Sequence, residues 1–185
     1  MTVGLSGLAV EAVKTAHDLV GGLEDRWRHT VGVAQRASEL AEALGLDADL
    51  LVAAAWLHDI GYADELKVTG FHPLDGADHL ATGSWPDQVP SLVAYHSGAR
   101  FVAAARGLAG RLAVYPELTG PLADALTYAD QTVGPCGARV TQRQRYAEML
   151  RRHGPHSWNA KVDHVRRPYL EAIARRTEQR LGHIA

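Results

Sequence analysis

Apolar residues recur at helical spacing almost throughout this chain. His29, Val33, Ala37, Leu40 and Leu44 fall on one face at i, i+4, i+8, i+11 and i+15, and Gly45 follows as a stop. In the next segment Leu51, Ala54, Ala55 and His58 share a face, with Asp49 placed to start the helix and Gly61 to end it. Pro73 suits the first turn of a helix running to about Ala81. The same spacing predicts helices at 8–20, 87–96, 99–110, 118–133, 139–152 and 159–181. No run alternates with the period of two that a half-buried strand requires. The pattern predicts an all-α fold, one compact bundle of about eight or nine helices, without an internal repeat or low-complexity linker to divide it.

Length and composition narrow the class. A chain of 185 residues fits a single domain spanning 1–185, and 46% hydrophobic with 22% charged residues excludes a disordered chain. The N-terminus lacks the basic start and long apolar run of a secretory signal, and no uncharged stretch is long enough to span a bilayer. The expectation is a soluble cytoplasmic protein with no membrane partner. A net charge of -2 argues against a nucleic-acid coat, so no polymeric nucleic acid is expected as a partner. The charge is unevenly spread: residues 1–138 hold 8 basic and 17 acidic residues, and residues 139–185 hold 11 and 4. The basic end reads as solvated helix faces, with a phosphate-attracting rim, through Arg143 or Arg145, as the secondary reading. Cys136 is the sole cysteine, which excludes a disulfide framework and a Cys-based zinc site. It reads as a turn residue, while Trp56, Trp85 and Trp158 read as core or lid packing. The sequence is silent on oligomeric state.

Histidine is the outlier, with ten in the chain. His29 opens a helix on its apolar face, His58 and Asp59 end the apolar segment AAAWLHDIG, His72 precedes Pro73, and His96 ends SLVAYH. Asp130 lies in ALTYAD among apolar neighbours. A carboxylate on an apolar helix face is strongly disfavoured unless it is paired or holds a metal. Such a nitrogen and oxygen donor set suits iron, manganese, zinc, cobalt or nickel better than calcium. Adjacent residues point about 100° apart on a regular helix, so His58 and Asp59 can meet one ion only where the helix ends or distorts. The other histidines, His17, His79, His153, His156, His164 and His183, read as ordinary surface or partly buried residues.

This arrangement resembles the HD-domain superfamily of metal-dependent phosphohydrolases: a histidine on one helix, a His-Asp pair on the next, and an aspartate far downstream. Here the matching residues are His29 in RWRHTVGVA, His58 and Asp59 in AAWLHDIGY, and Asp130 in TYADQ. The resemblance covers a metal-site core of about 26–131, followed by C-terminal helices at about 139–181. His72 in FHPLDGA and His96 in AYHSGA are similar to the extra histidines of the binuclear branch, as in bacterial diadenosine-tetraphosphate hydrolases. The resemblance implies one ion at His29, His58, Asp59 and Asp130, and a second at His72 and His96, with Asp59 bridging. It implies two divalent or mixed-valent transition-metal ions, with iron or manganese foremost. Asp59 and His58 would then be the catalytic centre, where a metal-activated water attacks phosphorus.

The substrate implied is a small phosphorylated metabolite, most plausibly a nucleotide or dinucleoside polyphosphate. The alternative is a mixed-valent diiron oxygenase of the same superfamily, which cleaves a C–C or C–P bond with dioxygen. Many members carry a lysine or arginine three positions after the His-Asp pair, where this chain has Tyr62. Arg26, Lys67 and Tyr62 are therefore the candidates for substrate contact.

Overall fold

The computed structural model describes residues 7–183. Eleven α-helical segments are present: α1 (Gly7–Val20), α2 (Glu24–Leu44), α3 (Ala48–Leu57), α4 (His72–Leu80), α5 (Gln88–Tyr95), α6 (Ala99–Ala105), α7 (Ala109–Leu112), α8 (Pro121–Gln131), α9 (Gln142–His153), α10 (Trp158–Lys161) and α11 (Asp163–Gly182). Single 3-10 turns cover Ile60–Tyr62, Asp64–Leu66 and His96–Gly98. The described residues contain no strand, only an isolated bridge between Val133 and Arg139. The all-α reading holds.

Two helices expected to be continuous are each divided. Gly107 takes φ 72° between α6 and α7, and Val162 interrupts the helix between α10 and α11 with φ -101° and ψ 10°. Two expected starts also move. Helix α2 begins at Glu24, because Glu24 and Asp25 supply the acidic first turn that the helix dipole favours. His29 therefore sits in the second turn rather than at the opening. Helix α3 is capped by Asp47, whose side chain accepts from the Leu50 amide at 3.0 Å, and not by Asp49. Gly45 stops α2 as expected, in the left-handed region at φ 61°.

Helix α3 is the central element. Its sequence ADLLVAAAWL has small alanines on several sides, so neighbouring helices approach closely. On one side Leu51, Ala54 and Ala55 pack with Val33, Ala37 and Leu40 of α2, Leu126 and Ala129 of α8, and Ile173 of α11. On the other, Ala53 and Leu57 join Ala12 and Ala16 of α1, Leu80 of α4 and Val93 of α5. The C-terminal end of this buried helix is where the His-Asp pair emerges.

Helix α11 packs on α8 and is tied to it by charge. Arg176 forks onto both oxygens of buried Asp124, at 2.7 and 3.1 Å, and Arg180 reaches the same carboxylate at 2.8 Å. Among the described residues, no helix is long and apolar enough to cross a membrane.

Candidate metal centre

Helix α3 ends at Leu57, and the chain tightens into the 3-10 turn at Ile60–Tyr62. That change of pitch lets the adjacent His58 and Asp59 face one point, as a regular helix does not. Gly61 has a different task from the expected helix stop. A Cβ there would lie 2.1 Å from His72 O and 2.7 Å from Gly76 N, so only glycine lets α4 come this close. Helix α4 begins with His72, and this approach brings its ring to the His-Asp pair. His96 arrives from the end of α5, where Ser97 adopts φ 52° and ψ 33°, a left-handed conformation uncommon for a residue other than glycine. Asp130 projects from the last turn of α8, and His29 from α2.

The six side chains expected to hold metal meet in two adjoining groups, His29 with His58 and Asp130, and Asp59 with His72 and His96; the donor atoms within each lie within 4.8 Å of one another. Asp59 stands between them. Its Oδ2 lies 3.2 Å from His58 Nε2 and 3.8 Å from His29 Nε2, while its Oδ1 lies 3.2 Å from His72 Nε2. His29 Nε2 is 2.9 Å from Asp130 Oδ1, and the Nε2 atoms of His72 and His96 are 3.3 Å apart.

The donor chemistry fits a cation. Three of the imidazoles are anchored through Nδ1 to main-chain carbonyls: His29 to Gly134 O at 3.2 Å, His58 to Ala55 O at 2.7 Å, and His96 to Val93 O at 2.6 Å. A neutral ring donating from Nδ1 carries its lone pair on Nε2, the usual arrangement of a metal-ligating histidine. Fully buried His58 Nε2 has no hydrogen-bond partner. Separations near 3 Å also match neighbouring corners of a coordination polyhedron whose metal–nitrogen bonds are about 2.1 Å.

The electrostatics point the same way. Burial, with the charges of His58 and His72, pushes His96 down to about 3. Burial likewise lowers His29 and His72. Burial also acts against the charged form of His58, but Asp59 and Asp130 outweigh it and the net direction is up. For Asp59 and Asp130 burial favours the neutral acid. Arg26 and His58 beside Asp59, and His29 beside Asp130, overcome that and hold both well below the usual carboxylate range. Both therefore remain ionised.

Of the expected substrate contacts, Arg26 and Tyr62 line the cavity over this centre, which encloses about 70 Å³. Arg26 ion-pairs with Asp59 Oδ2 and lies 4.0 Å over the Tyr62 ring, which in turn stacks on His72 at 4.1 Å. Burial, then the Asp59 charge, pushes the Tyr62 hydroxyl up to about 12, so it stays a neutral phenol. Lys67 is not brought in. It pairs with Asp64 on the exposed turn and lines an adjoining groove instead.

Arg166 is a correction to the sequence reading, and Arg145 follows its secondary reading rather than its leading one. The basic C-terminal segment reads chiefly as solvated surface, yet both side chains are buried and line the cavity. Ser97 and Gln131 complete the support of Asp130: the Ser97 hydroxyl donates to Asp130 Oδ2, and Gln131 Nε2 donates to the same oxygen at 3.0 Å. Their signal in the sequence was adjacency to His96 and Asp130.

The model of the HD domain family matches residues 26–132. The chain belongs to the HD domain family. That stretch holds all six candidate ligands. Curated relatives include Ribonuclease Y of Rhodopirellula baltica, 37% identical over 86 residues, which are 46% of this chain and 16% of that protein. Ribonuclease Y of Fervidobacterium nodosum is 37% identical over 105 residues, 53% of this chain and 20% of that protein. The chain thus spans about a fifth of the length of the curated relatives it matches. No solved structure gave a significant match.

These relatives overturn one expectation. Low net charge argues against polymeric nucleic acid as a partner, but the matched relatives are named as ribonucleases. Net charge averages over the whole surface, whereas the arginines that matter here are gathered at one cavity. The dinucleoside-polyphosphate and oxygenase expectations draw no support from the same relatives.

Proposed function

We propose that the chain is a metal-dependent phosphodiester hydrolase acting on RNA, with two transition-metal ions, iron or manganese foremost and zinc, cobalt or nickel as substitutes. One ion would be held by His29, His58, Asp59 and Asp130, the other by His72, His96 and Asp59. The observation that carries this reading is Asp59, whose two oxygens face different histidine groups, 3.2 Å from His58 on one side and 3.2 Å from His72 on the other. What supports RNA as the substrate is the likeness to Ribonuclease Y over about half of this chain.

When bound, such a metal pair acidifies a water and neutralises charge gathering on the phosphoryl oxygens. The protein's own contribution is placement. His29, His58 and His96 are fixed in tautomer by carbonyl acceptors, so their Nε2 atoms need little reorganisation. Arg26, ion-paired with Asp59 and stacked on Tyr62, presents a fixed positive charge at the cavity. Tyr62 holds the His72 ring in orientation by stacking.

The test is cleavage of an end-labelled single-stranded RNA by the manganese-loaded protein, beside a dinucleoside polyphosphate and under strict anaerobiosis. RNA cleavage without dioxygen, lost in Asp59→Ala, is expected. An absolute need for dioxygen, or turnover of the dinucleotide with RNA untouched, would refute the reading.

A further inference from the structure

Arg166 is a buried cation with no counter-ion. It lies on α11 at 7% exposure, beyond the segment matched by the family model. Its partners are neutral: Nε donates to Ser97 O at 2.9 Å, Nη1 donates to Asn159 Oδ1 at 3.0 Å, and the Met149 sulfur lies 3.8 Å from Nη1. Among the described residues, no carboxylate comes within ion-pair distance of it. Burial lowers its pKa, and the more distant charges of Tyr146 and Asp130 do not make up the difference. A guanidinium removed from water and left without an anion is strongly disfavoured.

Its neighbours repeat the imbalance. Arg145, 6% exposed, donates to Glu148 at 2.6 Å while its buried Nε finds no partner. Arg152 at the rim leans on that same Glu148, at 3.1 Å. Of the three arginines that line the roof of the cavity, opposite the floor with Asp59 and Asp130, Arg145 and Arg152 share Glu148, Arg145 also lies 3.8 Å from Asp130 Oδ1, and Arg166 has no carboxylate among the described residues. Ser97 links roof to floor: its carbonyl accepts from Arg166 and its hydroxyl donates to Asp130. A residue held in a left-handed conformation at such a junction is the kind of strain that collects at binding sites.

We infer that this roof is an anion subsite, in which Arg166, flanked by Arg145 and Arg152, holds the non-bridging oxygens of a substrate phosphate group. The subsite rests on the metal-centre reading for the identity of the substrate, and on the buried, unbalanced arginines for its own existence. Guanidinium suits this task because its planar fork meets two phosphate oxygens at once, as an ammonium does not. The C-terminal helices thus add to the matched core a component that the family match itself does not include.

The probe is inorganic phosphate, titrated by calorimetry into the manganese-loaded full chain in chloride buffer. Arg166→Gln is expected to weaken phosphate at least tenfold with manganese content unchanged, and Arg166→Lys to recover part of the loss. Phosphate should also raise the melting temperature of the wild type but not of Arg166→Gln. If Arg166 only braces Ser97, the variant melts lower and binds phosphate as before, which overturns the proposal. So does a wild type that binds no phosphate. Should Arg166→Gln fail to fold, the rim variant Arg152→Gln carries the test: affinity at least threefold weaker is expected, and a smaller change overturns the subsite. RNA cleavage is a separate readout. Its absence with phosphate binding intact would refute the proposed substrate and leave the anion subsite standing.

Discussion

Replacing Gly61 by alanine tests how the backbone sets the metal centre. The new Cβ would sit 2.1 Å from His72 O and 2.7 Å from Gly76 N. Both are main-chain atoms of α4, so no side chain can rotate away to relieve them. Real Cβ contacts stay beyond about 3 Å, so α4 must retreat by about 1 Å or the turn at Ile60–Tyr62 must open. Overpacking of this kind costs about 1–3 kcal/mol, and clashes against backbone on two sides belong at the upper end or beyond. A loss of about 3 kcal/mol in a chain of this size lowers the melting temperature by roughly 6–12 °C. The same retreat carries His72 away from Asp59 Oδ1, now 3.2 Å distant, so metal content should fall with stability.

Scanning calorimetry and elemental analysis on the same samples measure the two effects. Gly76→Ala is the control on the facing helix. Its closest contacts, 3.2–3.5 Å, are tight but tolerable, and alanine favours a helix interior by up to about 1 kcal/mol, so its net effect should be small. Gly61→Ala melting within 2 °C of wild type with full metal content would show that the close approach does not hold His72 in place.

Three further outcomes are expected. Asp59→Ala should lose nearly all bound metal and activity, since this carboxylate faces both histidine groups; unchanged metal content by elemental analysis would remove it from the centre. His72→Ala should lower the metal count from about two per chain to about one, because its partners beyond Asp59 lie on one side only; an unchanged count shows that it is not a ligand. Asp124→Ala should loosen α11 by leaving Arg176 and Arg180 without their shared carboxylate. Both arginines are partly solvated, so a cost of about 1–2 kcal/mol is expected, read as a melting temperature lowered by roughly 2–8 °C.

The candidate ligands are legible in the sequence because helix ends are marked by local chemistry. His58-Asp59 stands at the end of an apolar run, His72 beside a proline suited to a first turn, and His96 before Ser-Gly. Each mark is carried by a few neighbouring residues. The roof arginines carry no such mark. Arg145 and Arg166 sit in segments as rich in arginine as QRQRYAEMLRRH and DHVRRPYLEAIARR, where spacing does not single out one cation from the next. Only the docking of α11 on the His96–Gly98 turn, and of α9 against α8, selects them. Lys67 shows the converse. It follows the pair closely in sequence, but the turn at Asp64–Leu66 gives it a local acidic partner and turns it outward.

The anchoring of the imidazoles has a consequence for how this centre can change over evolutionary time. In many metal sites a side-chain carboxylate or amide behind each histidine sets ligand basicity, and one substitution there retunes the ion. Here the atoms behind His29, His58 and His96 are carbonyls of Gly134, Ala55 and Val93, which no codon change replaces. Point substitution therefore cannot retune these three imidazoles from behind; the contacts it can reach are those that Ser97, Gln131, Arg26 and Tyr62 make with Asp130, Asp59 and His72. The three carbonyl-backed rings are the fixed part of the site, while those side chains and the arginine roof remain open to substitution one residue at a time.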